Sequence, residues 1–278
     1  MQNGSRATDP TFGSALPVSP QMNARVVAPI CRVLARSSSR CPVILLTAIY
    51  YEARKALKAP AKDLPKVCAI AFVNSPDHYT PGWTNLTTPI FGSDLPRSAH
   101  VVKIAAGLKE SGNATIVYVD FKELEFHPFD GIACANLINP GMDFAVTRHP
   151  LHATRTVDEE IMATIYEMSR RVAPYNVFAD LIHQREYMDS FAYVMNRTHI
   201  MPDTHFLVWR PTIGAHTFAE LWLQEVITRS MREQVNFDFA LEQARMSTSV
   251  HLQWLDPNPP RTCMHPPERL PHSGRRVL

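Results

Sequence analysis

The sequence predicts an α/β fold, a single domain built on a mostly parallel, Rossmann-type sheet with helices on both faces. Continuous apolar runs, typical of strands buried on both faces of a parallel sheet, recur along the chain. Segments with helical periodicity and helix-start signals lie between these runs. Polar residues close several of the runs, at the position where strands of an open α/β sheet meet a ligand.

Five segments are predicted strands. They are residues 42–50, 67–74, 116–120, 142–150 and 205–211. The third reads Ile-Val-Tyr-Val-Asp, with apolar side chains on both faces up to Val119 and an acid, Asp120, at its end. Asp120 therefore stands where open α/β sheets hold their ligands, at the carboxyl end of a strand.

Helices are predicted at residues 99–110 and after three capping boxes. In this motif a hydroxyl, and a carboxylate three residues later, satisfy the first free N–H groups of a helix reciprocally. The three pairs are Thr156 with Glu159, Thr217 with Glu220, and Ser230 with Glu233. The last pair gives Glu233 a structural interpretation from local physics alone.

The ends of the chain differ in composition from its middle. Residues 1–40 mix Ser, Pro, Arg and Gly without sustained periodicity, and we expect them to be disordered. Residues 257–278 contain six prolines, and we expect a Pro-rich basic tail that packs no core. The predicted domain, residues 41–256, holds 19 basic and 24 acidic residues, a net charge of −5. This sign gives no electrostatic footprint for nucleic acid.

Three features of the sequence give information on the cellular compartment of the protein: its cysteines, its hydropathy and its glycosylation sequons. Five cysteines are scattered without Cys-x-x-Cys spacing, and we expect them to be small buried hydrophobic residues. No apolar run approaches the roughly 18–20 residues of a membrane span, so no transmembrane segment is predicted. Four Asn-x-Ser/Thr sequons hint at a secretory route, and they begin at Asn3, Asn85, Asn113 and Asn196. The cytoplasm and a Golgi or secretory lumen both stay open.

Several segments, taken in order, resemble a known family. They are LLTAIYYEA, FVNSPDHYTPGW, RSAHVVKI, IVYVDFKEL, FAVTRHP followed by TVDEEI, and WLQEVITRSMREQVNFDFAL. Over residues 43–255 the chain resembles a glycosyltransferase-like family long catalogued as a domain of unknown function, with plant mucilage-related members and bacterial hexosyltransferase-like members. The last block is the most specific, because several of its positions agree in order and spacing.

The resemblance implies a GT-A-like fold that binds a nucleotide-sugar donor and transfers a hexose to an unidentified glycan, lipid or protein acceptor. It matches Asp120 to a strand-end acid that holds Mn²⁺ or Mg²⁺ on the donor diphosphate. It matches Arg97 and Lys103 to basic positions that grip phosphate. Thr47 and Asn74, at the ends of the first two predicted strands, are expected contacts to base and ribose.

Three further residues are expected to be catalytic. His149 belongs to the Arg-His-Pro segment that ends the fourth predicted strand, so it lies on the ligand side of the sheet and is suited to orienting the acceptor or the sugar. Glu233 and Gln234 match an Asp-Gln pair of the family, a pairing suited to contacting sugar hydroxyls. For Glu233 the capping interpretation and the sugar-contacting one both stay open.

Departures from the family pattern fall where nucleotide and metal would bind. Phe121 stands in place of a Gly after the acid, and Asn74 stands in place of an Asp at the second strand end. His100 replaces an Arg, and Lys122 stands where a D-x-D pair would have its second acid. Two alternatives are therefore open. One is a catalytically degenerate sugar-binding or scaffold protein, and the other is a metal-dependent hydrolase that uses Asp120 and His149 around an activated water.

Overall fold

The computed structural model describes residues 23–50, 60, 66–75, 80–87, 95–124, 128–150, 154–169, 176–191, 198–230, 232–256 and 263. Seven strands form the central sheet: β1 Val43–Ile49, β2 Val67–Val73, β3 Thr84–Thr87, β4 Thr115–Val119, β5 Phe144–Arg148, β8 Pro202–Trp209 and β9 Leu252–Leu255. Two short strands, β6 Thr154–Thr156 and β7 Thr198–Ile200, pair antiparallel in a separate sheet. All five predicted strands are therefore present.

Eight α-helices lie in the described part of the chain. They are α1 Ala28–Ser38, α2 Leu95–Ala105, α3 Phe121–Leu124, α4 Gly131–Ala135, α5 Val157–Ser169, α6 Asn176–Ser190, α7 Ile213–Thr228 and α8 Glu233–Ser247. One core cluster packs α1, α2, α7 and α8 on one face of the sheet, and a second packs α3 and α4 on the other. The prediction of helices on both faces is confirmed. None of the described helices has both the length and the apolar character to cross a bilayer.

The sheet is mixed, with one reversed strand. Its order is β3-β2-β1-β4-β8-β5-β9, and β8 runs antiparallel to both of its neighbours, β4 and β5. The other described pairings in this sheet are parallel. Pro202, the first residue of β8, pairs with Arg148, the last residue of β5. β8 therefore enters the sheet beside the carboxyl end of β5 and runs against it. The predicted sheet was mostly parallel, and this is confirmed with β8 as the exception.

The first four strands have the order β3-β2-β1-β4. This is the order of the first four strands of a Rossmann sheet, in which the chain winds outward from β1 in one direction and then returns to the other side of β1. Ligands of such sheets bind beyond the carboxyl ends of the strands at this reversal. The fold therefore marks the carboxyl ends of β1 and β4 as the place to look for a site.

Described residues of both predicted terminal segments contribute to the core. Ile30 and Leu34 of α1 are almost completely buried, which makes the prediction of disorder wrong for Ala28–Ser38. Arginines and serines elsewhere in residues 25–40 outweigh this short apolar spacing in the composition of the segment. Cys263 is also buried in the core, so the predicted tail is not excluded from the core at this residue. The rest of residues 257–278, and residues 1–22, lie outside the described residues.

Four of the five cysteines are paired, which corrects the expectation of unpaired buried thiols. Cys41 bonds to Cys68 and Cys134 bonds to Cys263, with Cα–Cα distances of 5.7 Å and 5.0 Å. The parallel pairing of β1 and β2 brings the first pair together, since both residues stand at the amino ends of these strands. Cys31 is free and buried.

One of the three predicted capping boxes is present. Thr156 Oγ1 accepts the Glu159 N–H at 3.1 Å, and Glu159 Oε2 accepts the Thr156 N–H at 2.8 Å. The box at Thr217 is wrong, because α7 begins four residues earlier and is capped by Thr212, whose hydroxyl accepts the Ala215 N–H at 3.2 Å.

The capping box at Ser230 is also wrong. α8 begins at Glu233, after Arg232 in the N-cap position, and Arg232 makes no side-chain cap. The Ser230 hydroxyl accepts the Arg232 N–H at 3.1 Å instead. The carboxylate of Glu233 turns away from the helix end and has other partners, which belong to the candidate site.

Candidate functional site

The carboxyl edge of the sheet gathers three of the predicted site residues. Asn74 follows β2, Asp120 follows β4, and Arg148-His149 closes and follows β5. These three strands run in the same direction, so their carboxyl ends share one edge. The reversed strand β8 begins at this edge, between the ends of β4 and β5.

The start of β8 connects the predicted residues to one another. We call the five residues Met201–His205 the β8 entry. At its first residue, the Met201 carbonyl accepts the backbone N–H of His149 at 2.9 Å. At its second, the Pro202 carbonyl accepts a hydrogen bond from Gln234 Nε2, also at 2.9 Å. His149 and Gln234, which are far apart in sequence, are thus held on adjacent residues.

The second half of the β8 entry contacts three more of the predicted residues, Lys103, Glu233 and Asp120. The Thr204 hydroxyl donates to Glu233 Oε1 at 2.6 Å and accepts a hydrogen bond from Lys103 Nζ at 3.0 Å. The His205 carbonyl accepts the backbone N–H of Asp120 at 2.7 Å. The β8 entry therefore joins α2, α8 and the ends of β4 and β5.

A bulge shapes the β8 entry. The β5–β8 pairing passes from Val146↔Leu207 directly to Thr147↔Asp203, so three β8 residues lie between these two pairs without a β5 partner. Such bulges re-aim side chains and are frequent next to active sites. The predicted strand began at residue 205, so four of the five residues of the β8 entry lay outside it.

A buried charged cluster lies beneath the β8 entry. Lys103 Nζ stands 3.0 Å from Glu233 Oε1, and His100 Nε2 stands 3.2 Å from Glu233 Oε2. The side chains of Lys103 and Glu233 are only 2% and 6% exposed. The Lys103 ammonium also lies over the ring of Tyr118, 5.5 Å from its centroid. Tyr118 belongs to β4, two residues before Asp120, so the cluster sits under the carboxyl end of that strand.

The environment of Glu233 favours its ionised form. Burial by itself would raise the pKa of the carboxyl, but attraction to His100, Lys103 and Arg232, with the hydrogen bond from Thr204, holds it well below the usual value of 4.5. A carboxylate with so low a pKa is a weak base. Glu233 is therefore suited to positioning other groups and poorly suited to removing a proton.

The two predicted phosphate-binding cations have protein partners. Arg97 donates to Asp180 Oδ2 at 2.9 Å and to the carbonyls of Ile227 and Arg229, each at 3.2 Å. It thereby satisfies carbonyl groups at the carboxyl end of α7. Together with the partners of Lys103 already described, these contacts give both cations a structural role. Their contact with a donor stays a prediction.

Asp120 lies at the predicted strand end and caps the short helix that follows. Its Oδ1 accepts the Lys122 N–H at 3.0 Å, while its backbone carbonyl accepts N–H groups of α3. Among the described residues, no group of three or more His, Cys, Asp and Glu side chains is placed to hold a metal ion. Protein ligands in this part of the chain therefore do not fit a metal centre of their own, and a metal role for Asp120 stays a prediction.

Thr47 and Asn74 each have a buried polar atom without a partner. Thr47 lies inside β1, two residues before its end, on the face that packs against α3 and α4, and its Oγ1 makes no hydrogen bond. Asn74 donates from Nδ2 to the Tyr50 carbonyl at 3.2 Å, whereas its buried Oδ1 has no donor. Asn74 thus presents a fixed acceptor at the end of β2. Thr47 lies inside β1 and not at its predicted place at the strand end.

Two members of the cluster were absent from the predicted site. His100 lies three residues before Lys103 on α2, a spacing that places both side chains on one face of a helix. This spacing was a usable signal. Thr204 carried no comparable signal, because its partners come from α2 and α8, which are distant in sequence.

No protein-family model, no curated protein and no solved structure matches this chain. The family resemblance described above is thus an expectation from the sequence segments alone. The fold and the geometry of the carboxyl edge carry the functional argument.

Proposed function

We propose that this protein is a glycosyltransferase that binds a nucleotide-sugar at the carboxyl edge of its sheet and transfers the hexose to an acceptor. The strand order β3-β2-β1-β4 supports nucleotide binding at the ends of β1 and β4. Asn74, Asp120 and His149, which belong to the segments that resemble the glycosyltransferase-like family, stand at the same edge.

The observation that carries the proposal is the β8 entry. A transferase needs donor and acceptor groups fixed relative to one another, because correct placement of the reactants supplies a large part of the rate. Five consecutive residues tie together His149, Gln234, Glu233 and Asp120, four residues that the resemblance assigns to one reaction. These contacts hold the four residues in fixed positions relative to one another, which is the arrangement that transfer requires.

The geometry divides the roles of the residues. Glu233, held ionised by His100 and Lys103, is a positioning residue that fixes the β8 entry against α2 and α8. Gln234, which is bound to the Pro202 carbonyl through its Nε2, directs its amide to the same segment. His149 is left as the residue suited to orient the acceptor hydroxyl, since an imidazole nitrogen can accept or donate a hydrogen bond.

A second candidate is a sugar-binding protein that does not transfer. The partners of Arg97 and Lys103 favour it, because Asp180 and Glu233 neutralise the charges that a leaving diphosphate requires. The two candidates share a donor site at the carboxyl edge and differ in turnover.

The test is release of nucleoside diphosphate from a panel of uridine and guanosine diphosphate-sugars, with Mn²⁺ or Mg²⁺, in the presence and absence of pooled sugar acceptors. Release that requires an acceptor supports transfer. Release without an acceptor supports the hydrolase alternative, and donor binding without release supports the sugar-binding protein. A protein that binds no donor at all would refute the proposal.

A pair of histidine variants localises the activity. His149→Gln should lower kcat for transfer while the KM for the donor stays within about twofold. His251→Gln is the matched control, because His251 precedes β9 at the opposite edge of the sheet, where its N–H binds Asp143 Oδ2 at 2.6 Å. An equal loss of kcat in both variants would show that His149 has no specific role in transfer.

A further inference from the structure

We propose that Asn113 is an N-glycosylation site and that the domain matures in an oxidising secretory compartment. Asn113 precedes β4, at the edge of the sheet opposite to the candidate site, so its glycosylation is independent of the proposed transferase activity. The placement of Asn113, its contrast with Asn85 and the paired cysteines support the proposal.

Asn113 lies in a bend of the chain where its side chain is exposed. The sequon Asn113-Ala114-Thr115 ends at the first residue of β4, and Asn113 itself is exposed. Gly112, with a φ of 93°, turns the chain just before it, and the Ser38 hydroxyl accepts the Asn113 N–H at 3.4 Å. The backbone is thus anchored, and no hydrogen bond within the described structure engages the side-chain amide to which a glycan would be attached.

Asn85 also begins a sequon, but its environment differs. Its Nδ2 donates to the carbonyls of Thr80 and Trp83, at 3.3 Å and 3.2 Å. N-glycosylation replaces one hydrogen of this amide with a sugar, so a modified Asn85 would lose one of the two bonds. The folded structure therefore accommodates a glycan at Asn113 without loss of a hydrogen bond, whereas a glycan at Asn85 would cost it one.

The cysteine pairs supply an independent observation. Disulfides persist in oxidising compartments and are rare where glutathione keeps thiols reduced. Cys41–Cys68 and Cys134–Cys263 tie down both core faces, since the first pair stands at the amino ends of β1 and β2 and the second fixes α4 to a distant residue. An oxidising lumen is also where the enzyme that glycosylates sequons acts, so the two features require the same route.

A glycan at Asn113 is compatible with the candidate site. Asn113 precedes β4 and Asp120 follows it, so the length of the strand separates them by roughly 20 Å at about 3.3 Å per residue. A glycan would extend from the amino edge of the sheet and leave the carboxyl edge open.

The test uses the full chain behind a cleavable secretion signal in a eukaryotic host. Peptide N-glycosidase converts a glycosylated Asn to Asp, which tandem mass spectrometry locates. We expect Asp at position 113 after this treatment and an unmodified Asn85. On a gel, the Asn113→Gln variant should run faster than the wild type by the mass of one glycan. The matched variant Asn85→Gln should run with the wild type. Thr115→Ser, which keeps the sequon, should retain the glycan.

Two results would overturn the proposal. One is an unmodified Asn113 peptide in chain recovered from the medium and from the lumenal fraction of the cells, where glycan transfer accompanies translocation. The other is recovery of that chain with Cys41, Cys68, Cys134 and Cys263 as free thiols. Glycans at Asn3 or Asn196 would be mapped as separate peptides and decide nothing about Asn113.

Discussion

Lys103 Nζ lies 3.0 Å from Glu233 Oε1, and water reaches almost none of either side chain. The two residues are 130 positions apart in the sequence and belong to α2 and α8. Taking two charges out of water is costly, and their attraction offsets this cost only when the geometry is good and further hydrogen bonds are present. His100 and Thr204 supply such contacts here.

Glu233→Gln should destabilise the protein by about 3 kcal/mol, because it leaves the Lys103 ammonium buried without its counter-charge. Chemical denaturation measures the effect as a lower midpoint at unchanged slope. Glu186→Gln, at an exposed position on α6, is the control and should change stability by less than about 0.5 kcal/mol. In the double variant Lys103→Met/Glu233→Gln, the loss should be smaller than the sum of the two single losses, and additive losses would show that the pair is not coupled.

The stability of the protein should fall in acid partly through Glu233. Its folded-state pKa lies well below 4.5, so its contribution is fully present above that value and is lost as the pH falls through the folded pKa. Below about pH 4.5, the free energy of unfolding of the wild type should therefore drop more steeply than that of Glu233→Gln. Urea titrations between pH 7 and pH 3 measure both curves, and parallel curves would contradict this assignment.

Thr212→Ala should cost about 1 kcal/mol through loss of the α7 cap. Thr217→Ala is the matched control, because Thr217 lies inside α7, where alanine has the higher helix propensity. The denaturation midpoint of Thr212→Ala should therefore be lower than that of Thr217→Ala. A larger loss for Thr217→Ala would mean that the helix begins where the sequence pattern placed it.

Asp120→Asn should leave the fold intact and abolish metal-dependent donor binding. Asparagine keeps an oxygen for the Lys122 N–H, but it removes the charge that a hard cation prefers. Calorimetry with nucleotide-sugars and saturating Mn²⁺ measures the binding. Asp130→Asn is the control, since Asp130 caps α4 through the same kind of bond. Equal donor affinity in wild type and Asp120→Asn would leave Asp120 with its capping role alone.

Thiol counting should distinguish the paired cysteines from the free one. Burial raises the pKa of the Cys31 thiol to about 11, so the native protein should resist alkylation at neutral pH. Denaturation without reductant should expose one thiol, and reduction should expose all five. Mass spectrometry of the alkylated protein gives the counts, and more than one thiol before reduction would contradict the pairing.

The sequence predicted the interior strands and missed the edge strands for one physical reason. β1, β2, β4 and β5 lie inside the sheet, and burial on both faces gives each a continuous apolar run. β3, Thr-Asn-Leu-Thr, and β9, Leu-Gln-Trp-Leu, are edge strands of four residues each. β3 is mostly polar and β9 mostly apolar, but both are too short for period or hydrophobicity to separate them from loops. The direction of β8 was beyond reach as well, because side-chain alternation is the same for both directions of a strand.

The sequence predicted where the site residues lie along the strands, but not which side chains they contact. The apolar run of β4 predicted that Asp120 lies at the end of that strand. The predicted ends of β2 and β5 placed Asn74 and His149 at the same edge. That Lys103 would meet Glu233 depended on how α2 and α8 cross the sheet, which no local pattern encodes. Local physics favoured a capping role for Glu233, but the tertiary ion pair displaced that role.

The position of β8 also constrains how the chain can fold as it is made. β8 is a central strand, yet it is synthesised long after its neighbour β4 and after β5. Until Pro202–Trp209 leave the ribosome, β4 has an unpaired edge and β5 has no partner in the main sheet. Unpaired edges invite pairing with other chains, and late long-range pairing slows folding. A nascent chain of this protein is therefore most exposed to misassembly just before β8 emerges.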